Sequence, residues 1–77
     1  MIVYHVTTHK KLQKYLKSGG ITPPVRAWEN IAQAERMSKS TGRKIILRLH
    51  FPNNAAKLEG HFGQARVLQQ FLPLDSI

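Results

Sequence analysis

The first two dozen residues constrain the fold more than any other part of the chain. They hold a short apolar run at residues 2–6 (IVYHV), a lysine-rich segment, and a Gly-Gly-Ile-Thr-Pro-Pro stop at residues 19–24. β-Branched and aromatic residues favour a strand over 2–6. His5 interrupts this run, and a titratable ring in an apolar strand needs a hydrogen-bond partner or a functional role.

A basic amphipathic helix is predicted over about residues 8–18. Thr7 or Thr8 is a favourable N-cap, and Gly19 is expected to take the left-handed conformation that ends a helix. The prolines that follow prevent the helix from continuing. Its apolar side, at spacing i, i+3 and i+4, consists of Leu12, Tyr15 and Leu16.

The rest of the chain alternates strand and helix signals. The predicted elements are a strand over 25–28, a helix over about 30–41, a strand over about 44–51, a weakly patterned loop over 53–63 and a strand over 66–71. Asn30 is expected to cap the second helix and Gly42 to end it. Apolar residues recur at every second position of 44–51, which makes it the clearest strand. The order β-α-β-α-β-loop-β is typical of an α+β or α/β fold.

Size and charge limit the function classes. With 77 residues and no cysteine, the chain is expected to form a single domain without disulfides or thiolate metal sites. Its start lacks a signal peptide, and no segment approaches the roughly 20 apolar residues of a membrane span, so we expect a cytoplasmic protein. Lysine and arginine number 12 against 4 acidic residues, a formal charge of +8. Such an excess favours a polyanionic partner, either a nucleotide or a nucleic acid.

The order of these segments resembles the ADP-ribosyltransferase-like superfamily. The matching pieces are YHVT, a helix, GITPP, VRAWENIAQAERMSKSTG, KIILRLHFP and ARVLQQFLPLDSI. The likeness is to its small bacterial and phage members and to the RNA 2′-phosphotransferase-like branch. That family has a strongly twisted, split sheet with NAD in the cleft between its halves. The resemblance therefore implies a small α+β domain that binds NAD or a related nucleotide.

The resemblance also implies site residues. His5 corresponds to a first-strand histidine that contacts the nicotinamide-side ribose, and Thr7 to the small hydroxyl residue two positions later. Trp28 lies near the second motif, where an aromatic or hydroxyl residue flanks the nicotinamide. The third motif is a glutamate before a late strand, and here that position is Gln64. Glu59 is the nearest carboxylate and the possible substitute.

The third motif bears on catalysis. A glutamine can hydrogen-bond a ribose hydroxyl but carries no charge to offset a developing cation. Three outcomes are open for a chain with Gln64: transfer chemistry that does not need the glutamate, nucleotide binding without turnover, or the fold alone.

Each candidate also has a simpler explanation. His5 is explained equally by a bond to a backbone carbonyl, and Trp28 by packing in the core. Arg26, Arg48 and Arg66 would form a phosphate-binding strip if they point to one face of the sheet, and otherwise are ordinary surface residues. No carboxylate pattern supports a metal site, so none is predicted, although four histidines are present: His5, His9, His50 and His61.

Two alternatives to a nucleotide-binding domain remain at this stage. The first is a basic nucleic-acid-binding module without catalysis, which the +8 charge favours. The second is a small interaction protein of phage-inhibitor or toxin type, which would direct its charge against an acidic partner.

Overall fold

The chain folds into a five-stranded, mostly antiparallel sheet with two helices, so the predicted α+β class is confirmed. The computed structural model describes residues 1–60 and 64–76. The elements are β1 (Ile2–Thr7), α1 (His9–Ser18), β2 (Gly20–Ile21), β3 (Val25–Trp28), α2 (Ile31–Thr41), β4 (Ile45–His50), β5 (Ala56–Lys57), β6 (Ala65–Leu68), β7 (Leu72–Pro73) and a final 3₁₀ turn (Leu74–Ser76).

The main sheet has the strand order β4-β1-β3-β6-β5, and β2 and β7 form a separate two-stranded ribbon. The first strand therefore lies next to the centre of the sheet. β1 pairs with β4 along six residues, from Ile2↔His50 to Thr7↔Ile45. β3 pairs with β6 along its whole length, from Val25↔Leu68 to Trp28↔Ala65. All of these pairings are antiparallel. β1 is joined to β3 through α1 and β2, and the connection from β3 through α2 to β4 crosses over β1.

Both faces of the sheet are covered. Alternation along β1 places Val3 and His5 on one face and Val6 on the other. Val3, Val25 and Leu49 are fully buried and belong to the main core, which also takes in Ile21 and Leu72 of the ribbon. α2 packs against β1, β3 and β4, and it contributes the fully buried Ala34. Side chains from both helices and the ribbon thus exclude water from a thin sheet.

The helix ends are those that the sequence predicts. Thr8 accepts a side-chain hydrogen bond from the Lys11 amide at 3.2 Å, and Asn30 accepts one from the Ala32 amide at 2.8 Å. Gly19 and Gly42 end the helices with φ of 79° and 72°, a left-handed region that costs glycine little. Within the described part of the chain, neither helix has the length and apolarity needed to cross a membrane.

Three details differ from the sequence-based predictions. The segment predicted as a loop over 53–63 contains β5, and the last strand of the sheet spans Ala65–Leu68 instead of 66–71. Leu16 is 59% exposed, so the apolar stripe predicted for α1 is only partly buried, and Ile31 at the start of α2 is 48% exposed. α1 has no buried residue and α2 buries Ala34 alone, so both helices lie on the surface of the sheet.

The β2–β7 ribbon is a feature that the sequence patterns do not predict. Gly20 pairs with Pro73, and Ile21 pairs with Leu72. A Cβ atom at Gly20 would collide with the carbonyl oxygen of Leu72 and with the Phe71 ring, so the close approach of the two strands requires glycine here. Each strand has two residues, too few to show periodicity. The ribbon joins the segment after α1 to the C-terminal segment.

Candidate functional site

A cleft opens where β1 and β3 separate. Their pairing is confined to Tyr4↔Trp28, whereas β1 and β4 pair at six positions. The cleft is lined by neighbouring residues of each strand, His5 with Val6 and Ala27 with Trp28. Beyond Tyr4↔Trp28 the two strands form no further ladder pair, and the His5 side chain contacts the Arg26 carbonyl oxygen of β3 instead. The sheet is therefore split at this place.

The cleft has a volume of about 610 Å³. That volume falls within the range of small-molecule sites in proteins. Its walls come from α1, from the segment between α1 and β3 that includes the cis Pro23-Pro24 bond, and from residues at the end of α2. The split sheet thus forms a pocket large enough for a ligand of nucleotide size.

The His5 ring bridges the split. Its Nδ1 lies 2.6 Å from the Arg26 carbonyl oxygen on β3, and its Nε2 lies 3.1 Å from the Tyr15 hydroxyl on α1. A carbonyl oxygen only accepts, so Nδ1 carries the proton and Nε2 accepts from Tyr15. The Tyr15 oxygen is then free to accept from the Thr7 hydroxyl, 3.4 Å away. These bonds form one directed chain from Thr7 through Tyr15 and His5 to the β3 backbone.

His5 is held as a neutral imidazole. Burial lowers its pKa from the ordinary value of 6.5, and the positive charges of Lys11 and Arg43 lower it further, although the bond to the Arg26 carbonyl acts in the opposite direction. Because both ring nitrogens are already bonded, His5 cannot exchange a proton with a ligand unless one of these bonds breaks. The geometry suits His5 to positioning its neighbours across the split.

Positive charge surrounds the cleft on several sides. Lys11 and Lys14 contribute from α1, Arg26 from β3, and Arg43 from the residue after the end of α2. No carboxylate belongs to the cleft lining among residues 1–60 and 64–76. Cations with no internal counter-charge in a concave site attract anions, and phosphate groups in particular. The cleft is therefore electrostatically suited to a phosphorylated ligand.

Two aromatic side chains also line the cleft. The Tyr15 and His5 ring centroids are 5.9 Å apart and the rings are tilted by 49°. Trp28 is half-buried and lines the cleft at the one residue where β1 and β3 still pair. Trp28 is thus partly packed in the protein and also borders the cavity. Thr7, by contrast, is fully buried and reaches the cleft only through Tyr15.

The three arginines considered as a phosphate strip do not share one face. The register places Arg26 and Arg48 on the side of Tyr4, and Arg66 opposite Ala27 on the other side. Arg66 forms an ion pair with Glu29, with Nε 2.7 Å from Oε2, and donates to the Ala55 carbonyl at 2.8 Å. A strip of all three is therefore wrong. Arg26 lines the cleft, whereas Arg48 is exposed and lies outside the cleft lining.

The residues considered for the third motif do not line the cleft, although their chain neighbours Ala65 and Leu58 do. Gln64 precedes β6, and its carbonyl oxygen accepts from the Glu29 amide at 2.6 Å. The Gln64 Oε1 atom is buried and has no hydrogen-bond partner among the described residues. Neither Gln64 nor the exposed Glu59 is among the residues that line the cleft. The structure thus brings His5, Arg26 and Trp28 together and leaves Gln64 and Glu59 outside.

Four charged or aromatic residues of the cleft were not singled out from the sequence: Lys11, Lys14, Tyr15 and Arg43. A usable signal existed on α1, because Lys11, Lys14 and Tyr15 have the spacing i, i+3 and i+4 that places side chains on one side of a helix. The sequence places Tyr15 in the apolar stripe and leaves open whether the lysines face solvent or a nucleic acid. No local pattern marks Arg43, since its position depends on how α2 packs on the sheet.

A metal centre finds no support in the described residues. They contain no group of three or more histidine, cysteine, aspartate or glutamate side chains placed to hold a metal ion. His61 lies outside the described part of the chain. Of the other histidines, His5 is engaged at both nitrogens, and His9 and His50 are exposed.

Comparison of the chain with protein-family models, with curated proteins and with solved structures gave no significant match. The function therefore has to be argued from the chemistry of the site, because a fold of this class hosts many activities.

Proposed function

We propose that this protein binds NAD or a related phosphorylated nucleotide in the cleft between β1 and β3. The observation that carries the proposal is the lining of that cleft, which combines four cationic side chains with Tyr15 and Trp28 and includes no carboxylate from the described residues. Cations suit the phosphates of a nucleotide, and an aromatic wall suits its ring. The sequence resemblance described above, to ADP-ribosyltransferase-like proteins, is in keeping with the same ligand.

The cleft fits NAD as a ligand better than as a substrate to be cleaved. Transfer from NAD passes through a cationic sugar, which a carboxylate stabilises by charge. Gln64 and Glu59 lie outside the cleft lining, and His5 has both ring nitrogens engaged. The proposal is therefore binding without turnover. In this arrangement His5 and Tyr15 hold the walls of the cleft in place. Lys11, Lys14 and Arg43 attract the phosphates.

A titration with NAD followed by tryptophan fluorescence tests the proposal. Trp28 is the single tryptophan of the chain and lines the cleft, so ring stacking should change its emission. Amide chemical shifts at His5, Tyr15 and Arg26 should move in parallel. Absence of both signals at millimolar NAD would show that the cleft is not a site for this nucleotide.

Variants locate the binding. Lys11→Gln removes a cation that lines the cleft, and Lys10→Gln removes a neighbouring exposed lysine that does not. We expect K11Q to weaken NAD binding severalfold and K10Q to leave it nearly unchanged. Equal effects of the two variants would indicate nonspecific attraction by net charge. Nicotinamide release, followed by chromatography, is expected to stay at the level of the uncatalysed reaction.

A second candidate function, binding of nucleic acid, is favoured by the surface of α1. That helix has no buried residue, and four of its ten residues are exposed lysines: Lys10, Lys11, Lys14 and Lys17. Binding to an oligonucleotide should then fall steeply with salt, because each phosphate contact releases counterions. Competition between the oligonucleotide and NAD distinguishes the two functions. Salt-dependent binding that NAD does not displace would place the nucleic acid on α1 and outside the cleft.

A further inference from the structure

Besides the cleft, the outer edge of β4 is a surface that offers unpaired main-chain groups to a partner. β4 is the terminal strand of the sheet, and within the described residues no strand pairs with its outer side. At six residues it is as long as β1 and longer than β5, the two-residue strand at the opposite edge. An open edge of this length is a template for a further strand.

The register identifies which backbone groups face outward. Met1 and Phe51 exchange two hydrogen bonds, of 2.7 and 2.8 Å, which makes them a hydrogen-bonded pair. Bonded and non-bonded pairs alternate along an antiparallel ladder, so Leu49 and Leu47 bond to β1. The intervening residues direct their N–H and C=O groups away from β1. These residues are Ile46, Arg48 and His50.

The side chains along this edge have a defined polarity. Arg48 and His50 are exposed on one face, which they share with the half-buried Ile46, and the exposed Lys44 precedes the strand. Arg48 has no carboxylate partner among the described residues. On the opposite face, Ile45 and Leu47 are half-buried, with Leu47 packed against the core. A strand added here would place alternate residues beside Arg48 and beside Leu47, so acidic residues would match one face and apolar residues the other.

We infer that the β4 edge binds an extended acidic segment of another protein, whose acidic residues alternate with apolar ones, by strand addition. The main chain of Ile46, Arg48 and His50 would supply the hydrogen bonds, and Arg48 would pair with an acidic side chain. A second copy of this chain is disfavoured as the occupant, because it would bring another +8 charge and a second Arg48 to the same edge. Charge at an edge strand is a common barrier to self-pairing, and the same charge admits a partner of opposite sign.

The test uses three short synthetic peptides and the intact chain. One peptide alternates glutamate with valine, a second alternates lysine with valine, and a third is the glutamate peptide with a central proline that cannot complete the ladder. Hydrogen exchange and amide shifts are measured by NMR at up to millimolar peptide. We expect only the first peptide to protect the amides of Ile46, Arg48 and His50. Equal effects of the proline peptide, or no protection with any peptide, would overturn strand addition.

Charge variants complete the test. Arg48→Glu should weaken binding of the glutamate peptide about fivefold, because the free energy of a cross-strand charge pair corresponds to a change in affinity of that order. The same variant should bind the lysine peptide more tightly than the wild type does. Arg36→Glu makes the same charge change on the exposed surface of α2 and should leave peptide binding nearly unchanged. Protection of the edge amides in the free protein, rising with protein concentration, would show instead that a second copy occupies the edge. Protection by an oligonucleotide but not by the glutamate peptide would assign the edge to nucleic acid.

Discussion

β1 has two neighbours in the sheet, and the two sides of this strand differ in kind. Toward β4 it forms a continuous ladder of six residue pairs. Toward β3 the pairing is reduced to Tyr4↔Trp28, and the His5 side chain reaches the β3 backbone across the gap at 2.6 Å. On the β4 side, main-chain hydrogen bonds and buried apolar residues hold the strands together. On the β3 side, polar side chains connect the strands beside a cavity.

This difference separates stability from binding within a single strand. The ladder side contains Val3 and Leu49, both fully buried. The split side contains a polar chain of Thr7, Tyr15 and His5 that spans α1, β1 and β3. Small proteins have little stability to lose, so a cleft inside the sheet requires a firm ladder beside it. Substitutions on the two sides should therefore have different consequences.

The largest effect is expected on the ladder side. Leu49→Ala removes a fully buried side chain, and its free energy of unfolding should fall by about 2–5 kcal/mol. Chemical denaturation measures the loss, and binding of NAD by the protein that remains folded should be unchanged. Leu16→Ala is the matched control, because Leu16 is 59% exposed and its loss should cost no more than about 0.5 kcal/mol. Similar losses in both variants would contradict the assigned core.

On the split side, His5→Ala should lower the free energy of unfolding by about 1–3 kcal/mol, since the Arg26 carbonyl and the Tyr15 hydroxyl both lose a partner. The affinity for NAD should fall as well, which distinguishes this variant from L49A. His9→Ala, at an exposed histidine of α1, is the control for both measurements. If His5→Ala bound NAD normally, His5 would not be needed to keep the cleft in the conformation that binds NAD.

The stability of the protein should depend on pH through His5. Its pKa in the folded protein lies below the unfolded value of about 6.5, so the unfolded chain takes up the proton first as pH falls. The contribution of His5 is complete above pH 6.5 and is lost as pH falls from 6.5 through the folded pKa. The slope from this one group cannot exceed about 1.4 kcal/mol per pH unit. Denaturation of the wild type and of His5→Gln across this window measures it, and identical slopes would contradict the prediction.

The smallest effect is expected from Tyr15→Phe. This change keeps the ring and removes only the hydroxyl that joins His5 to Thr7, so the free energy of unfolding should fall by about 1 kcal/mol. Tyr4→Phe removes a tyrosine hydroxyl from β1 that is not part of this chain of bonds, and it serves as the control. If Y15F were as stable as Y4F, the chain would contribute little to joining α1 with the split.

Much of the secondary structure followed from local patterns. The helix ends at Thr8, Gly19, Asn30 and Gly42 depend on side chains and backbone conformations that nearby residues decide. The alternation along residues 44–51 likewise defined β4. The β2–β7 ribbon was not predictable in this way, since each of its strands has two residues and its partner lies far away in sequence.

The candidate site was predictable only in part. His5 stood out because a polar ring in an apolar strand is unusual, and Trp28 because it lies near the second motif of the family that the sequence resembles. Lys11, Lys14 and Tyr15 share one side of α1, but which side faces the sheet depends on packing. The phosphate strip failed because Arg66 lies on the opposite face of the sheet from Arg26 and pairs with Glu29, which is 37 residues away in the chain. A single sequence does not show that contact.

By itself, the sequence determined the α+β class, the helix caps and the surplus of positive charge, since these depend on local patterns and composition. Only the tertiary structure decided that β1 and β3 separate, that His5 bridges them to Tyr15, and that Gln64 and Glu59 lie outside the resulting cleft. The physical reason is that strand divergence and cavity lining arise from contacts between residues distant in the chain. Those contacts are fixed only when the whole sheet and both helices pack together.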